Sequence, residues 1–205
     1  MALADAGDGL DDANFDELVA NSAILRLYVF EKWISEELRK NVPAEGLDFA
    51  LAKEGLDQWD LILENELNRA IELTTQSYSE MKFKQALKHG FFELQTLKED
   101  YLIAKGGKAN PFLLLKFIET QLVLMNPIVP HFAEFSWRTH VLPILERSQN
   151  LQRAPAKQLI NQGWPQASKT FDTLSHRVYE YMKALKSNVR LSYDRAKHGG
   201  KKGAK

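Results

Sequence analysis

The stretch that decides the fold is FDTLSHRVYEYMKALKSNVRLSY, residues 171–193. Its apolar side chains return every three or four residues, and at about 100° per residue they fall within an arc of about 120°. This spacing is typical of one face of an amphipathic helix and predicts a final helix over residues 169–197. The apolar stripe consists of Phe171, Leu174, Val178, Tyr181, Met182, Leu185, Val189 and Tyr193.

Working back along the chain, two segments near the N-terminus also have helical spacing. A first helix is predicted over residues 13–40, capped by Asp11 or Asp12 and ended by the Val42-Pro43 pair. Its apolar residues spread round most of its circumference, which predicts a central helix. A second helix is predicted over residues 57–79.

Two more helices are predicted in the middle of the sequence. One covers residues 83–104 and is ended by Gly106 and Gly107. The next starts at Asn110-Pro111, a cap followed by a first-turn proline, and should break around Pro127 and Pro130 before it resumes to about residue 146.

The remaining stretches lack helical or alternating patterns. Residues 147–166 contain Pro155, Gly163 and Pro165 and predict a long loop with one short turn. We therefore expect an all-α fold, a helical bundle of about five helices. Residues 1–12 form an acidic leader, residues 13–197 a single helical domain, and residues 198–205 a basic tail expected to be disordered.

Composition excludes several classes of protein. The 205 residues contain no cysteine, which rules out disulfides, zinc–thiolate sites and cysteine nucleophiles. The acidic N-terminus is not a signal peptide, and Lys116 and Glu119 interrupt the longest apolar stretch, so no membrane span is expected. The five histidines show no metal-ligand spacing, and the paired glycines lack the context of a phosphate-binding loop. We expect no catalytic residue, no metal site and no cofactor in this chain.

The net charge is zero, but two strips of basic residues follow predicted helices. On the third helix, Lys84, Lys88 and Lys98 fall within an arc of about 80°, and Lys105 extends the strip. On the last helix, Lys183, Lys186 and Arg190 lie within about 60° of one another. Two such strips are suited to a phosphate backbone, although a solvated surface is the simpler interpretation of each strip alone.

Four segments resemble eukaryotic-type cytosolic leucyl-tRNA synthetases, in order along residues 2–193. ALADAGDGLDDANF at residues 2–15 resembles the run that follows their catalytic domain, and FKQALKHGFFELQ at residues 83–95 resembles their next recognisable helix. FIETQ at residues 117–121, leading to NPIVPHFAE at residues 126–134, resembles the fourth helix of class I synthetase anticodon-binding domains, and GWP at residues 163–165 the turn before the fifth. The last two motifs also resemble valyl, isoleucyl and methionyl synthetases.

The resemblance implies a tRNA-docking domain of anticodon-binding type, cut from a parent that joins leucine to its tRNA with ATP and magnesium. It implies tRNA(Leu) and the parent's catalytic and C-terminal domains as partners, a monomer and a cytoplasmic location. Leucyl enzymes generally do not read the anticodon, so we expect contacts to the tRNA backbone and shape. The candidate tRNA contacts are Lys84, Lys88, Lys98, Lys105, Lys183, Lys186 and Arg190. The alternative is a helical protein-interaction module, or the equivalent domain of a valyl, isoleucyl or methionyl synthetase, and an independent helical enzyme is the third possibility.

Overall fold

The computed structural model describes residues 1–9 and 16–199, with side chains described up to residue 197. The predicted all-α fold is confirmed: these residues contain no strand, only an isolated bridge between Asp48 and Gln149. The chain divides into two compact units, one up to Thr170 and one from Phe171. The helices are α1 (Ala2–Ala6), α2 (Glu17–Asn41), α3 (Gln58–Ser79), α4 (Phe83–Leu87), α5 (Glu93–Ala104), α6 (Pro111–Met125), α7 (Pro130–Ser136), α8 (Leu142–Arg147) and α9 (Thr173–Gly199).

The central helix of the first unit is α6, not the first predicted helix. Eleven of its fifteen residues are buried, because eleven positions of PFLLLKFIETQLVLM are apolar and two of the four polar ones, Thr120 and Gln121, are buried as well. By contrast, α2 buries only Phe30, Ile34 and Leu38. Its N-terminal half carries apolar side chains on two faces, and one face stays exposed. The prediction of a central position for this helix was wrong because apolar residues round a helix do not say which of them another element covers.

Side-chain caps set the helix starts in the N-terminal half. Asp16 caps α2, its Oδ1 accepting from the amides of Leu18 at 2.8 Å and Val19 at 3.3 Å, so the helix begins after the predicted residue 13. The predicted caps Asp11 and Asp12 lie outside the described residues. The start of α3 agrees with the prediction: Asp57 and Asp60 form a reciprocal capping box there.

The third predicted helix extends from Phe83 to Ala104 as expected, but it is not uniform. A π turn at Lys88–Phe92 separates α4 from α5. After α5, Gly106 and Gly107 adopt φ values of 60° and 77°, the left-handed conformation that ends a helix.

The fourth predicted helix starts and breaks where its prolines require it. The side chain of Asn110 caps α6, and the chain leaves the helix between Met125 and Pro130. A second π turn, Trp137–Val141, then precedes Pro143 in α8. Proline has no amide hydrogen and crowds the preceding turn, so a wider turn accommodates it.

The predicted loop is present, with a short 3-10 turn at Leu159–Gln162. The last helix begins at Thr173, four residues later than predicted, because Asp172 accepts from the amide of Leu174 at 2.9 Å and caps the helix there. Seven of the eight side chains in its apolar stripe are exposed. The helix continues through Gly199, two residues into the predicted tail, and residues 200–205 lie outside the described part. The domain boundaries predicted at residues 1–12, 13–197 and 198–205 stay predictions.

Candidate nucleic-acid interface

The lysine strip predicted on the third helix does not exist as a strip, because Lys98 is buried. Only 8% of its surface is exposed. Its ammonium donates to Oε1 of Gln95 at 2.5 Å and lies 4.5 Å from the centre of the Trp33 ring and 5.9 Å from that of Phe30. Burial lowers the pKa of Lys98 to about 8, since neighbouring acids only partly offset the loss of water. The assignment of Lys98 as a tRNA contact was therefore wrong.

Helix geometry explains the error. Lys98 follows Leu94 by four residues and precedes Tyr101 by three, so it shares their buried face. The π turn Lys88–Phe92 also holds one residue more per hydrogen-bonded turn than an α turn. The extra residue rotates the side chains after the turn by up to about 100° about the helix axis relative to Lys84 and Lys88. The angular positions predicted for an uninterrupted α-helix therefore do not hold across the turn.

Lys105 does not extend a basic strip either. Its ammonium lies 2.5 Å from Oδ2 of Asp57 and 3.1 Å from Oδ2 of Asp60, and 17% of its side chain is exposed. Burial alone would lower the pKa of Lys105, but the hydrogen bonds that its ammonium donates to the two aspartates outweigh burial and raise the pKa. Asp60 also accepts from the Tyr101 hydroxyl at 2.6 Å. Lys105 therefore links the end of α5 to the start of α3 and does not belong to an exposed basic strip, and its contact with phosphate stays a prediction.

Lys84 and Lys88 remain exposed on α4 and the π turn. The Lys88 ammonium lies 3.7 Å from Oε1 of Glu93, a carboxylate that also lies 2.9 Å from Nδ1 of His89 and 3.8 Å from Arg69. One acid is thus shared by three basic side chains, of which Arg69 also lies 3.9 Å from Glu66.

The start of α4 is held by the N-terminal segment. The amide of Lys84 donates to both carboxylate oxygens of Asp8, at 3.0 and 3.1 Å. An acid of the predicted leader therefore caps a helix 76 positions further along the chain. This bond fixes the backbone from which the Lys84 side chain extends.

The π turn itself is held by buried polar groups. The amide of Gln121, fully buried on α6, donates to the carbonyl oxygens of Gly90 at 3.4 Å and Phe91 at 3.3 Å, and accepts from Gln95 at 3.0 Å. A Cβ on Gly90 would lie 3.2 Å from a methyl of Thr74. The helical pattern of residues 83–104 predicted no π turn, although a glycine inside such a pattern, here Gly90, is a signal of close packing.

The candidates on the last helix lie in the second unit. Lys183 is partly exposed and ion-paired with Glu180 at 2.9 Å, and its ammonium lies 5.2 Å from the centre of the Tyr179 ring. Lys186 and Arg190 are exposed. Four of the seven candidates therefore have exposed side chains and Lys183 is partly exposed, and the contact of these five with tRNA stays a prediction.

Other kinds of site find no support in the described residues. Within residues 1–9 and 16–199, no three histidine or carboxylate side chains are placed to hold a metal ion. None of the helices in this part of the chain has the length and apolarity needed to cross a membrane.

Comparison with known proteins identifies the family to which this sequence is similar. Residues 60–197 match the family described as the anticodon-binding domain of tRNA ligase. The cytoplasmic leucine–tRNA ligase of Saccharomyces cerevisiae is 35% identical over 190 residues, which cover 93% of this chain and 16% of the yeast protein. The protein of the same name from Arabidopsis thaliana is 40% identical over 67% of this chain and 12% of its own length. That from Pongo abelii is 33% identical over 93% and 14%. The chain thus spans less than one fifth of these relatives.

Proposed function

The chain belongs to the family of anticodon-binding domains of tRNA ligases, and from this premise we propose that it docks tRNA for a leucine–tRNA ligase. The observation that carries the proposal is the family match over residues 60–197, which includes α4, the π turn and α9 with their exposed lysines. The names of its relatives supply the amino acid. The chain would position tRNA(Leu), and the reaction would take place elsewhere in the parent.

The chemistry of the parent follows from the proposal. Joining an amino acid to tRNA consumes ATP, which requires magnesium, and the relatives are named cytoplasmic. We therefore propose a cytoplasmic, monomeric parent that binds ATP and magnesium outside this chain. The docking domain positions the tRNA: it holds one part of the molecule so that the acceptor end reaches the reacting groups.

Backbone contacts suit the basic side chains that remain exposed. Lys84 and Lys88 carry compact positive charges, which attract phosphate but do not select a base. With few such contacts, affinity should lie in the non-specific range, on the order of 10⁻⁴ to 10⁻⁶ M at physiological salt. Selection of leucine tRNA would then depend on other parts of the parent.

A second function, docking to protein, is favoured by the outer face of α2. Leu18, Ile24, Leu25, Tyr28 and Val29 are each more than half exposed on this one helix. Exposed apolar patches of this kind mark protein interfaces. We propose that this face contacts the catalytic domain of the parent, and the C-terminal domain is the other candidate. This role is compatible with tRNA docking, because Lys84 and Lys88 lie on other elements.

Fluorescence anisotropy of labelled tRNA(Leu) with the 205-residue chain tests the proposal. We expect binding at low salt that weakens as salt increases. Replacing both Lys84 and Lys88 by glutamate should reduce the log–log salt slope by roughly 0.7 to 0.9 per lost contact. The matched control replaces the exposed Lys108 and Lys157 by glutamate, with the same change in net charge.

A second pair of variants separates the two basic surfaces. Lys186→Glu with Arg190→Glu reverses the same number of charges on α9. Loss of binding in this pair alone would move the docking surface to α9 and keep the function. If the unaltered chain binds no tRNA at low salt, the proposed function is wrong.

A further inference from the structure

The first unit contains a groove lined by side chains from several helices and loops. It has a volume of about 480 Å³, within the usual range of roughly 300 to 1,000 Å³ for ligand pockets. Its walls come from α6, from α3 and the segment before it, and from the loop that follows α8. The groove is separate from Lys84 and Lys88, neither of which lines it.

The lining carries an excess of positive charge. Four cations line the groove, Lys53, Lys116, Arg153 and Lys169, against the two carboxylates Glu64 and Glu119. The whole chain has a net charge of zero, so an excess of two positive charges in one concave surface is a local feature. A concave basic surface concentrates anions because its low-dielectric walls focus the field.

Both acids of the groove are already neutralised. Glu64 is buried and accepts from Lys116 at 2.8 Å and from Lys169 at 2.6 Å. Burial raises its pKa, but these two hydrogen bonds outweigh burial, and the net effect is a lowered pKa. Glu119 accepts from the amide of Gln162 and lies 3.8 Å from Arg153. Neither carboxylate is therefore left to repel an anionic ligand.

An aromatic pair forms another part of the wall. The rings of Phe49 and Phe112 lie 5.7 Å apart at 86°, and both side chains are half-buried, so part of each ring is accessible. The ammonium of Lys53 lies 5.1 Å from the centre of the Phe112 ring. A cation and an aromatic surface are thus within a few ångströms of each other.

We propose that this groove binds one unpaired nucleotide, with the base against Phe112 and the phosphate near Lys53 and Arg153. Aromatic rings stack on any base, and cations next to them hold the backbone, which is how single strands are bound without sequence readout. An acidic peptide would satisfy the charges but not use the rings. The inference deepens the proposed function, on which it rests, by adding an unpaired nucleotide to the backbone contacts.

Binding of a labelled five-nucleotide RNA to the full chain, followed by anisotropy, tests the groove. Phe112→Leu keeps an apolar side chain but removes the ring, and we expect it to weaken binding at least about fivefold. The double variant Lys53→Glu with Arg153→Glu should abolish binding. It should still fold, because Lys53 is partly exposed and Arg153 is exposed. Lys108→Glu with Lys157→Glu is the charge-matched control and should weaken binding less. Thermal melts verify that each variant is folded.

Adenosine monophosphate and a glutamate-rich peptide complete the test. If addition of the nucleotide shifts the NMR signals of the Phe49 and Phe112 rings, binding in the groove is supported. If the free nucleotide saturates the groove but the RNA does not, the ligand of the groove is a mononucleotide. Wild-type affinity for RNA in folded Phe112→Leu, or peptide binding that this variant leaves unchanged, would overturn the inference. If the groove variants keep tRNA binding that Lys84→Glu with Lys88→Glu loses, the groove inference fails and the proposed function stands.

Discussion

The ammonium of Lys98 lies 4.5 Å from the centre of the Trp33 ring, inside the first unit instead of on its surface. The ring face attracts the cation, and the aliphatic stem of the lysine packs among apolar neighbours. This relationship removes one charge from the predicted tRNA-binding surface and gives the protein a buried ionisable group.

Because Lys98 is buried, the free energy of unfolding should depend on pH in the alkaline range. The pKa of Lys98 is lowered from 10.5 to about 8, so between these values the unfolded chain binds more protons than the folded chain. The free energy of unfolding should therefore rise as pH increases from about 8 to 10.5, by up to about 3 kcal/mol. Lys98→Met should remove this rise, as measured by urea denaturation against the wild type. Lys88→Met, at an exposed lysine, should retain it; an identical pH profile for wild type and Lys98→Met would contradict the prediction.

Replacement of Lys105 by methionine should destabilise the protein by about 3 to 5 kcal/mol, because it leaves the buried carboxylate of Asp60 without its cation. Urea denaturation measures the loss. Adding Asp60→Asn should restore part of it by removing the unpaired charge. Lys108→Met, three residues away at an exposed position, should change stability by no more than about 0.5 kcal/mol. Equal effects at the two lysines would show that the ion pair contributes nothing.

Gly90→Ala should destabilise the protein by about 1 to 3 kcal/mol. Alanine normally favours a helix over glycine by up to about 1 kcal/mol, but here its Cβ would lie 3.2 Å from Cγ2 and 3.3 Å from Oγ1 of Thr74. Thermal unfolding measures the change. The double variant Gly90→Ala with Thr74→Ala should be more stable than the sum of the two single changes, because the clash is absent. Strict additivity of the two changes would mean that no clash exists.

Asp8→Ala should increase hydrogen exchange at the Lys84 amide, which loses its carboxylate acceptor. Capping interactions of this kind contribute roughly 0.5 to 2 kcal/mol, so protection should fall by about that free energy. Asp8→Asn keeps an acceptor oxygen and should retain part of the protection. Unchanged exchange at Lys84 in the alanine variant would mean that residues 1–9 do not hold the start of α4 in solution.

The amino-acid sequence alone was sufficient for the fold class and most helix boundaries, because these depend on local interactions. The Asp57–Asp60 capping box, the Asn110-Pro111 start and the Gly106-Gly107 end each act within a few residues. The start of α2 was predicted too early, since several acids precede it in the sequence and the one that caps it is Asp16.

The tertiary structure alone decided which charged side chains are available to a ligand. Lys84 and Lys98 are both lysines on one predicted helix, yet only the second meets the Trp33 ring, which belongs to an element 65 positions earlier. Lys105 is neutralised by aspartates that are far away in sequence, and the groove cations Lys53 and Arg153 come from separate segments. Helical periodicity places a side chain on a face, but burial and pairing depend on what packs against that face, and those contacts come from the whole fold.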